Sequence, residues 1–595
     1  MKNSNNNNEK IDLKYLLQLL FQDKKTLLIG QIVTIIAVLI SIPIPLMLPA
    51  LVDEVLLQKP SFFVHSIDQI FGSGSAFYYI ALVTFSVIFL RIIYFVFTSL
   101  MAKIFTKIAK FVTYKIRQKL LLHLQNVSMN KYETLGSGAI AANLITDVET
   151  LDKFIITSAS KFISSVITLL AIAIVMIFIH PVLGIMIMII QPLTIFISKK
   201  ISSKTKVLKQ KENQSIESFQ NNLSEVLELF GQIKASNKEK SFFQTSIENA
   251  NNIQQTSNEY NYKSVMYEKF SYTVFLIGFE LIRAAGLLMV IYSDLSIGMM
   301  FAMFGYIWFI MTPIQDILTM QYSWAGTKAA LHRINKILEL ETEPQGTITL
   351  ESSHNLQIKL ENLSFSYNSD KPILIDISMC IEPKSKIALI GASGSGKTTL
   401  AQIISGFYTK TSGELCYNDH PIESLKRDSI RKEVFLVLQM PMLFNNTLRF
   451  NLTMGEDCFS HAQIKEALQI AQLEELLLSM PKGLDTIVGK NGVRLSGGQR
   501  QRLSIARMVL ANPSVVIFDE STSALDVHTE SKLFFALQDF LKNKTVITIA
   551  HRLSTVKNAD KIFVLQDGKI VQSGTHEELE DQEGHYNQFV KSQLQ

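Results

Sequence analysis

Gly391-Ala-Ser-Gly-Ser-Gly-Lys397-Thr398-Thr399 is the stretch whose reading decides the fold. It follows an apolar run, Lys386-Ile-Ala-Leu-Ile390, and leads into Leu400-Ala-Gln-Ile-Ile-Ser405, which has the pattern of a helix. This is G-x-x-x-x-G-K-[ST] in the strand–loop–helix setting the motif requires. Glycines let backbone N–H groups turn inward around phosphate oxygens, and the helix N-terminus adds partial positive charge. Gly391, Ser393, Gly394, Ser395 and Gly396 build the cradle, with Thr399 closing it. Lys397 is set to reach the β/γ-phosphates and the Thr398 hydroxyl to ligate Mg²⁺. The chain therefore carries a nucleotide-binding engine, and the rest of the sequence says what it drives.

A chain of 595 residues is too long for one core. Its residues are 48% hydrophobic and only 18% charged, with a mean hydropathy of +0.22, where soluble proteins carry about a quarter charged residues. The deficit lies before residue 325, in long runs almost free of charge. A net charge of +5 is too small to argue for nucleic acid, and reads as loop bias beside a membrane. Cys380, Cys416 and Cys458 have no metal-ligand spacing and read as reduced thiols.

Residues 1–25 read as an Asn-rich polar tail followed by an interfacial helix, Ile11 to Phe21. No small-residue cleavage site follows, so this is not a signal peptide. Residues 26–325 hold six apolar spans, Leu27–Ala50, Phe77–Met101, Phe162–Ile179, Val182–Ile197, Tyr272–Tyr292 and Ile297–Pro313. The first is about 36 Å long as a helix, enough for a hydrocarbon core of ~30 Å, and Pro43, Pro45 and Pro49 predict a kink in it. Lysine and arginine crowd the segment before the first span and the connections 102–153 and 199–271, whereas 52–76 holds Lys59 alone. Both termini are then cytoplasmic, with two long cytoplasmic excursions. Phe111 to Val127 and Glu212 to Phe230 keep helical apolar spacing, so the excursions read as helical hairpins. They turn at Tyr132–Gly138 and Gly231–Lys238, the candidate coupling elements. Residues 326–350 continue as a helix and linker, and 351–595 have the composition of a soluble α/β domain.

Within that domain, Val515-Val-Ile-Phe518 runs into Asp519-Glu520. A strand ending in Asp suits a water-mediated Mg²⁺ contact, and the next carboxylate can deprotonate an attacking water. Upstream, Leu495-Ser-Gly-Gly-Gln499 opens the helical pattern Arg500–Arg507, a second phosphate-binding surface formed by Ser496, Gly497, Gly498 and Gln499. One phosphate does not need both, so the second surface meets a nucleotide held elsewhere.

Leu495–Gln499 matches the signature sequence of ATP-binding cassette (ABC) exporters, and the chain resembles a half-transporter of that family along nearly its whole length. The resemblance implies further roles in chain order. Tyr367 resembles the aromatic that stacks on adenine, and Gln439 the glutamine that senses Mg²⁺ and the γ-phosphate. Asp526, in Ser523-Ala-Leu-Asp526, resembles the loop that crosses a dimer interface, and His551 the switch histidine on the γ-phosphate. Lys490 departs from the pattern, standing where the family commonly has an acidic residue.

The implied fold is a membrane α-helical domain of six transmembrane helices, exporter type, with long cytoplasmic extensions, plus a C-terminal α/β P-loop NTPase domain of ABC type. The implied machine is a homodimer in a bacterial plasma membrane that binds ATP and Mg²⁺ at two shared sites and exports hydrophobic or amphipathic solutes by alternating access. Glu520, His551, Gln439 and Lys397 would carry catalysis. A heterodimer, a peptide exporter, an importer on the same fold and an ATP-gated channel stay open as alternatives. Arg91, Glu280 and Arg283 lie inside spans, where a charge is either a functional group or a locally neutralised pair.

Overall fold

The computed structural model describes residues 10–59, 62–156, 161–202, 205–351, 355–367, 371–439, 441–489, 492–519, 525–550 and 553–594. The chain divides into two compact units. One comprises Met1–Leu121 and Ile140–Leu338; the other comprises Leu122–Ala139 together with Glu339–Gln595. The turn of the first excursion thus belongs to the same unit as the phosphate loop, although more than two hundred residues separate them in sequence.

The first unit is helical. Leu13–Leu56, Ala76–Leu124, Glu239–Tyr292 and Ile297–Ile317 are long and apolar enough to cross a membrane, and Ile163–Ile179 and Pro181–Ile190 are shorter apolar helical stretches. Each of the six runs read from the sequence is helical. Phe85, Phe95, Phe178 and Ile291 are exposed, as side chains meeting lipid would be. The helix Leu13–Leu20 is capped by Asp12, buries Leu16 and Leu19, and leaves Leu13 and Leu17 exposed. Its entry is held by Asn335, which donates to the Ile11 carbonyl and accepts from the Ile11 N–H.

The prolines break the first span. One helix stops at Ser41 and another, Pro43–Pro49, takes over; neither Pro43 nor Pro45 has an N–H to give to the preceding turn. At that break the buried Tyr306 hydroxyl donates to the Ile42 carbonyl at 2.5 Å. Beyond it, two carboxylates cap helix starts. Asp53 accepts from the Ser296 hydroxyl and, at 2.9 Å, the Gly298 N–H at the start of the helix Ile297–Leu338. Glu54 accepts from the N–H groups of Phe63 and Val64.

The hairpin helices are longer than the apolar spans. Ala76–Leu124 runs unbroken for 49 residues, about 74 Å at helical rise, so the second span and the Phe111–Val127 pattern as far as Leu124 are one rod. Glu239–Tyr292 runs for 54 residues in the same way. Short helices, Met129–Leu135 and Phe230–Ala235, stand at the two turns. Glu280 and Arg283 pair with each other on one helix, both about half exposed.

The second unit has an antiparallel sheet of four strands, in the order Leu374–Ile381, Ile358–Phe365, Ser412–Tyr417 and His420–Pro421. A six-stranded sheet follows the order Lys569–Gly574, Lys561–Gln566, Lys386–Gly391, Thr545–Ile549, Val515–Asp519 and Val434–Val437. All its neighbours are parallel except the first pair. Val515–Asp519 is buried at every position, as a strand covered on both faces must be.

An ion pair fastens the helices of the first unit. Arg333 grips Asp147 with Nε to Oδ2 at 2.9 Å and Nη2 to Oδ1 at 2.5 Å. The Asp147 side chain is 7% exposed and that of Arg333 51%. The two ends are therefore unequal. Arg333→Ala strands a buried carboxylate and should destabilise the unit by about 2–3 kcal/mol. Asp147→Asn leaves the guanidinium to water and should cost under about 1 kcal/mol. Thermal unfolding in detergent measures both, and equal losses would show that the buried charge is not the source.

Candidate functional site: the carboxyl edge of the parallel sheet

Four adjacent parallel strands end side by side, and each ending delivers residues singled out in the sequence. Register aligns Leu389 with Ile549, Ile549 with Asp519, and Phe518 with Val437. The phosphate loop, the segment toward His551, Asp519 and the segment toward Gln439 therefore leave the sheet at one edge. Open α/β sheets bind ligands at the carboxyl ends of their strands. Glu520, His551 and Lys490 lie outside the described residues.

The phosphate loop has the backbone its glycines permit. Gly391, Gly394 and Gly396 take φ of +151°, +82° and +97°, and Gly396 caps the helix Lys397–Ile404. A Cβ on Gly391 would run into the Leu565 carbonyl. Lys397 Nζ donates to the carbonyls of Gly391 and Ala392, both at 2.9 Å, so the buried ammonium is held across the mouth of its own loop. The Ser395 hydroxyl is buried and makes no hydrogen bond among the described residues. A buried donor of this kind inside a ring of N–H groups fits a phosphate oxygen.

Two of the residues expected from the sequence to serve Mg²⁺ are likewise close. Thr398 Oγ1 donates to Asp519 Oδ1 at 3.1 Å, joining the loop to the end of the strand Val515–Asp519, and Asp519 is buried. A hydroxyl and a carboxylate oxygen are the hard ligands that a small dication takes. Tyr367, expected from the sequence to meet the base, is 40% exposed, and its hydroxyl lies 3.1 Å from Thr399 Oγ1.

The signature segment stands in a different part of the unit. Ser496 caps the helix Gly497–Ala511 in a capping box: the Gln499 N–H donates to Ser496 Oγ, and the Ser496 N–H to Gln499 Oε1 at 2.8 Å. Leu503, Ile505, Ala506 and Met508 of this helix pack in one hydrophobic core. Leu400, Ala401, Ile403 and Ile404 of the phosphate-loop helix pack in another. Asp526 caps the helix Val527–Leu541 by accepting from the Thr529 N–H at 3.0 Å. Hydrogen bonds from the Thr529 side chain and backbone hold its carboxyl below the usual range.

Sequence reasoning missed what ties these parts together. Gln501 Nε2 donates to the Gln439 carbonyl, and Arg507 Nε to the Asn451 carbonyl at 2.5 Å. Fully buried Asn451 exchanges two hydrogen bonds of 2.9 Å with the backbone of Phe444. The signature helix thus holds the segment after Gln439 by backbone carbonyls, which any sequence supplies. A separate cavity of about 570 Å³ is lined by Lys386, Glu530, Phe534, Gln538 and Thr548 among others, and among the described residues by none of 391–399 or 496–499.

Comparison with known proteins agrees with this geometry. Residues 27–314 match the family model described as the ABC transporter transmembrane region, and residues 374–523 the one described as ABC transporter. An ATP-dependent lipid A-core flippase of Legionella pneumophila (strain Paris) is 31% identical over 504 residues, 83% of this chain and 84% of that protein. A putative multidrug export ATP-binding/permease protein of Bacillus subtilis (strain 168) is 31% identical over 487 residues, 81% and 84% of the two chains. The solved structure of a bacterial Atm1-family ABC exporter with ATP bound shares the fold, with a TM-score of 0.80 over 96% of this chain and all of that one, at 21% identity. The chain belongs to the ABC transporters: it is a membrane-embedded ATPase coupled to transport, with an exporter-type membrane region fused to one ATP-binding cassette.

Proposed function

We propose that two copies of this chain form an exporter of hydrophobic or amphipathic molecules in a bacterial plasma membrane, with both termini in the cytoplasm. The observation that carries the dimer is the separation of the two phosphate-binding surfaces into different hydrophobic cores. One chain then supplies half of each ATP site: Gly391–Thr399 with Tyr367 on one side, and Ser496–Gln499 with the Asp526 loop on the other. Glu520 deprotonates the attacking water, Lys397 and His551 meet the γ-phosphate, and Gln439 reports its presence. Mg²⁺ would neutralise phosphate charge, held by Thr398 and Gln439 and, through water, by Asp519. Closure of the pair around ATP moves the helical hairpins at Tyr132–Gly138 and Gly231–Lys238 and so turns the cavity outward.

The cargo class rests on the relatives, named for lipid A-core flipping and multidrug export, and on long spans rich in Phe and Met, which form adaptable apolar surfaces. The Glu280–Arg283 pair and Arg91 are candidates for the cavity wall, since half-exposed charges are costly against hydrocarbon. Alanine at these positions should reduce substrate-stimulated ATPase activity.

Purified protein in lipid nanodiscs tests the assembly: crosslinking should give a two-subunit species, and a lone subunit with brisk ATPase activity would overturn the proposal. Glu520→Gln should lower turnover at least ~10²-fold while ATP stays bound, on the usual worth of a general base. Lys397→Ala should weaken ATP binding itself. Gly391→Ala drives a Cβ into the Leu565 carbonyl and should abolish binding of a fluorescent ATP analogue; retained affinity would show that the loop tolerates a side chain there.

A further inference from the structure

The helix Met129–Leu135 is bound into the nucleotide unit by its flanks and by its own side chains. Its N-terminal approach is tied by backbone. The Ser128 N–H donates to the Glu341 carbonyl at 3.0 Å, the Glu343 N–H to the Asn126 carbonyl at 2.8 Å, and His123 Nε2 lies 3.2 Å from the Leu340 carbonyl. Met129 packs against the core that contains Phe365, Leu400 and Tyr408. Glu133 then accepts a hydrogen bond from the Tyr408 hydroxyl at 2.9 Å.

Tyr408 is unusually connected. It stands four residues past the end of the phosphate-loop helix Lys397–Ile404 and is 5% exposed. Its ring meets the Tyr367 ring edge-to-face, centroids 5.3 Å apart at 88°, and lies 5.6 Å from that of Phe365. Burial first, and the bond to Glu133 second, push the phenol well above its ordinary pKa. A phenol is protonated at neutral pH, and here its proton is directed at Glu133. A buried tyrosine needs a partner for its hydroxyl, and a carbonyl of its own domain would have met that need. Here the partner comes from a segment 275 residues earlier in the chain.

We propose that Tyr408 is a positioning residue that reports base-side occupancy of the ATP site to Glu133, and so to the helix Met129–Leu135. It rests on reading Tyr367 as the aromatic that stacks on adenine. A base on Tyr367 fixes that ring, the edge-to-face contact fixes Tyr408, and the hydroxyl fixes Glu133. Residues 122–139 continue covalently into the helix Ala76–Leu124 on one side and into residue 140 on the other, so ordering this helix biases the chain leading into the membrane spans.

Hydrogen exchange of the full-length protein in nanodiscs, with AMP-PNP and Mg²⁺ as the probe, tests this without a known cargo. In the unaltered chain the probe should slow amide exchange across 129–135 about tenfold, a usual size for coupling between two sites. Tyr408→Phe and Glu133→Ala should bind AMP-PNP within about threefold of the unaltered chain, yet show less than about twofold slowing. Glu133→Gln keeps an acceptor oxygen and should retain the slowing, a rescue that a merely destabilised fold would not give. The double variant Tyr408→Phe/Glu133→Ala should be no worse than either single one, as expected for two ends of one interaction. Full slowing in Tyr408→Phe, or none in the unaltered chain, overturns the relay. Tyr367→Ala should lose AMP-PNP affinity about tenfold; unchanged affinity there overturns the adenine reading instead, and is told apart because the Tyr408→Phe arm is read at saturating probe.

Discussion

Parallel strands buried on both faces can show polar groups only at their ends, and that constraint organises the catalytic half of this protein. Val515–Asp519 has no exposed residue, so its one carboxylate must sit at the last position and find a partner there. Thr398 is that partner. The bond joins a loop and a strand from distant parts of the chain and sets the spacing at which a dication could be held. The loop in turn depends on a backbone that passes close to the Leu565 carbonyl at Gly391. The site is therefore a property of strand register, with side chains added at the edge.

The membrane half obeys a different constraint, since inside hydrocarbon no water is available to satisfy a stray backbone group. Long uninterrupted helices meet it by themselves. Where Pro43 and Pro45 interrupt the first span, the Tyr306 hydroxyl reaches the Ile42 carbonyl. Where the chain turns, Glu54 caps the next helix and Asp53 the helix that starts at Ile297. The same helices that cross the bilayer continue for a further twenty residues or more as rods. A rod of unbroken backbone hydrogen bonds carries displacement from its tip, which suits an ATPase whose work is done elsewhere in the chain.

Much of this was legible in residue order. Apolar runs identified the spans, the prolines marked the break, and strand–loop–helix context identified the phosphate loop, because each of these rests on neighbours in sequence. Tyr367 and Gln439 needed resemblance to a family, since a lone aromatic or glutamine carries no local mark. Asn451 drew no notice, and Arg507 and Glu133 were seen only as parts of their segments, without their partners. Their partners are backbone carbonyls or residues hundreds of positions away, and no periodicity announces them.

The sequence by itself determined that this protein binds nucleotide and crosses a membrane, because phosphate loops and hydrophobic spans are built from contiguous residues whose chemistry suffices. Tertiary structure alone decided which strand ends share an edge, that the signature helix and the phosphate-loop helix belong to separate cores, and that residues 122–139 fold with the nucleotide unit. Those outcomes depend on register, core partition and side-chain packing between remote segments. They are settled only when the whole chain competes for the same buried space.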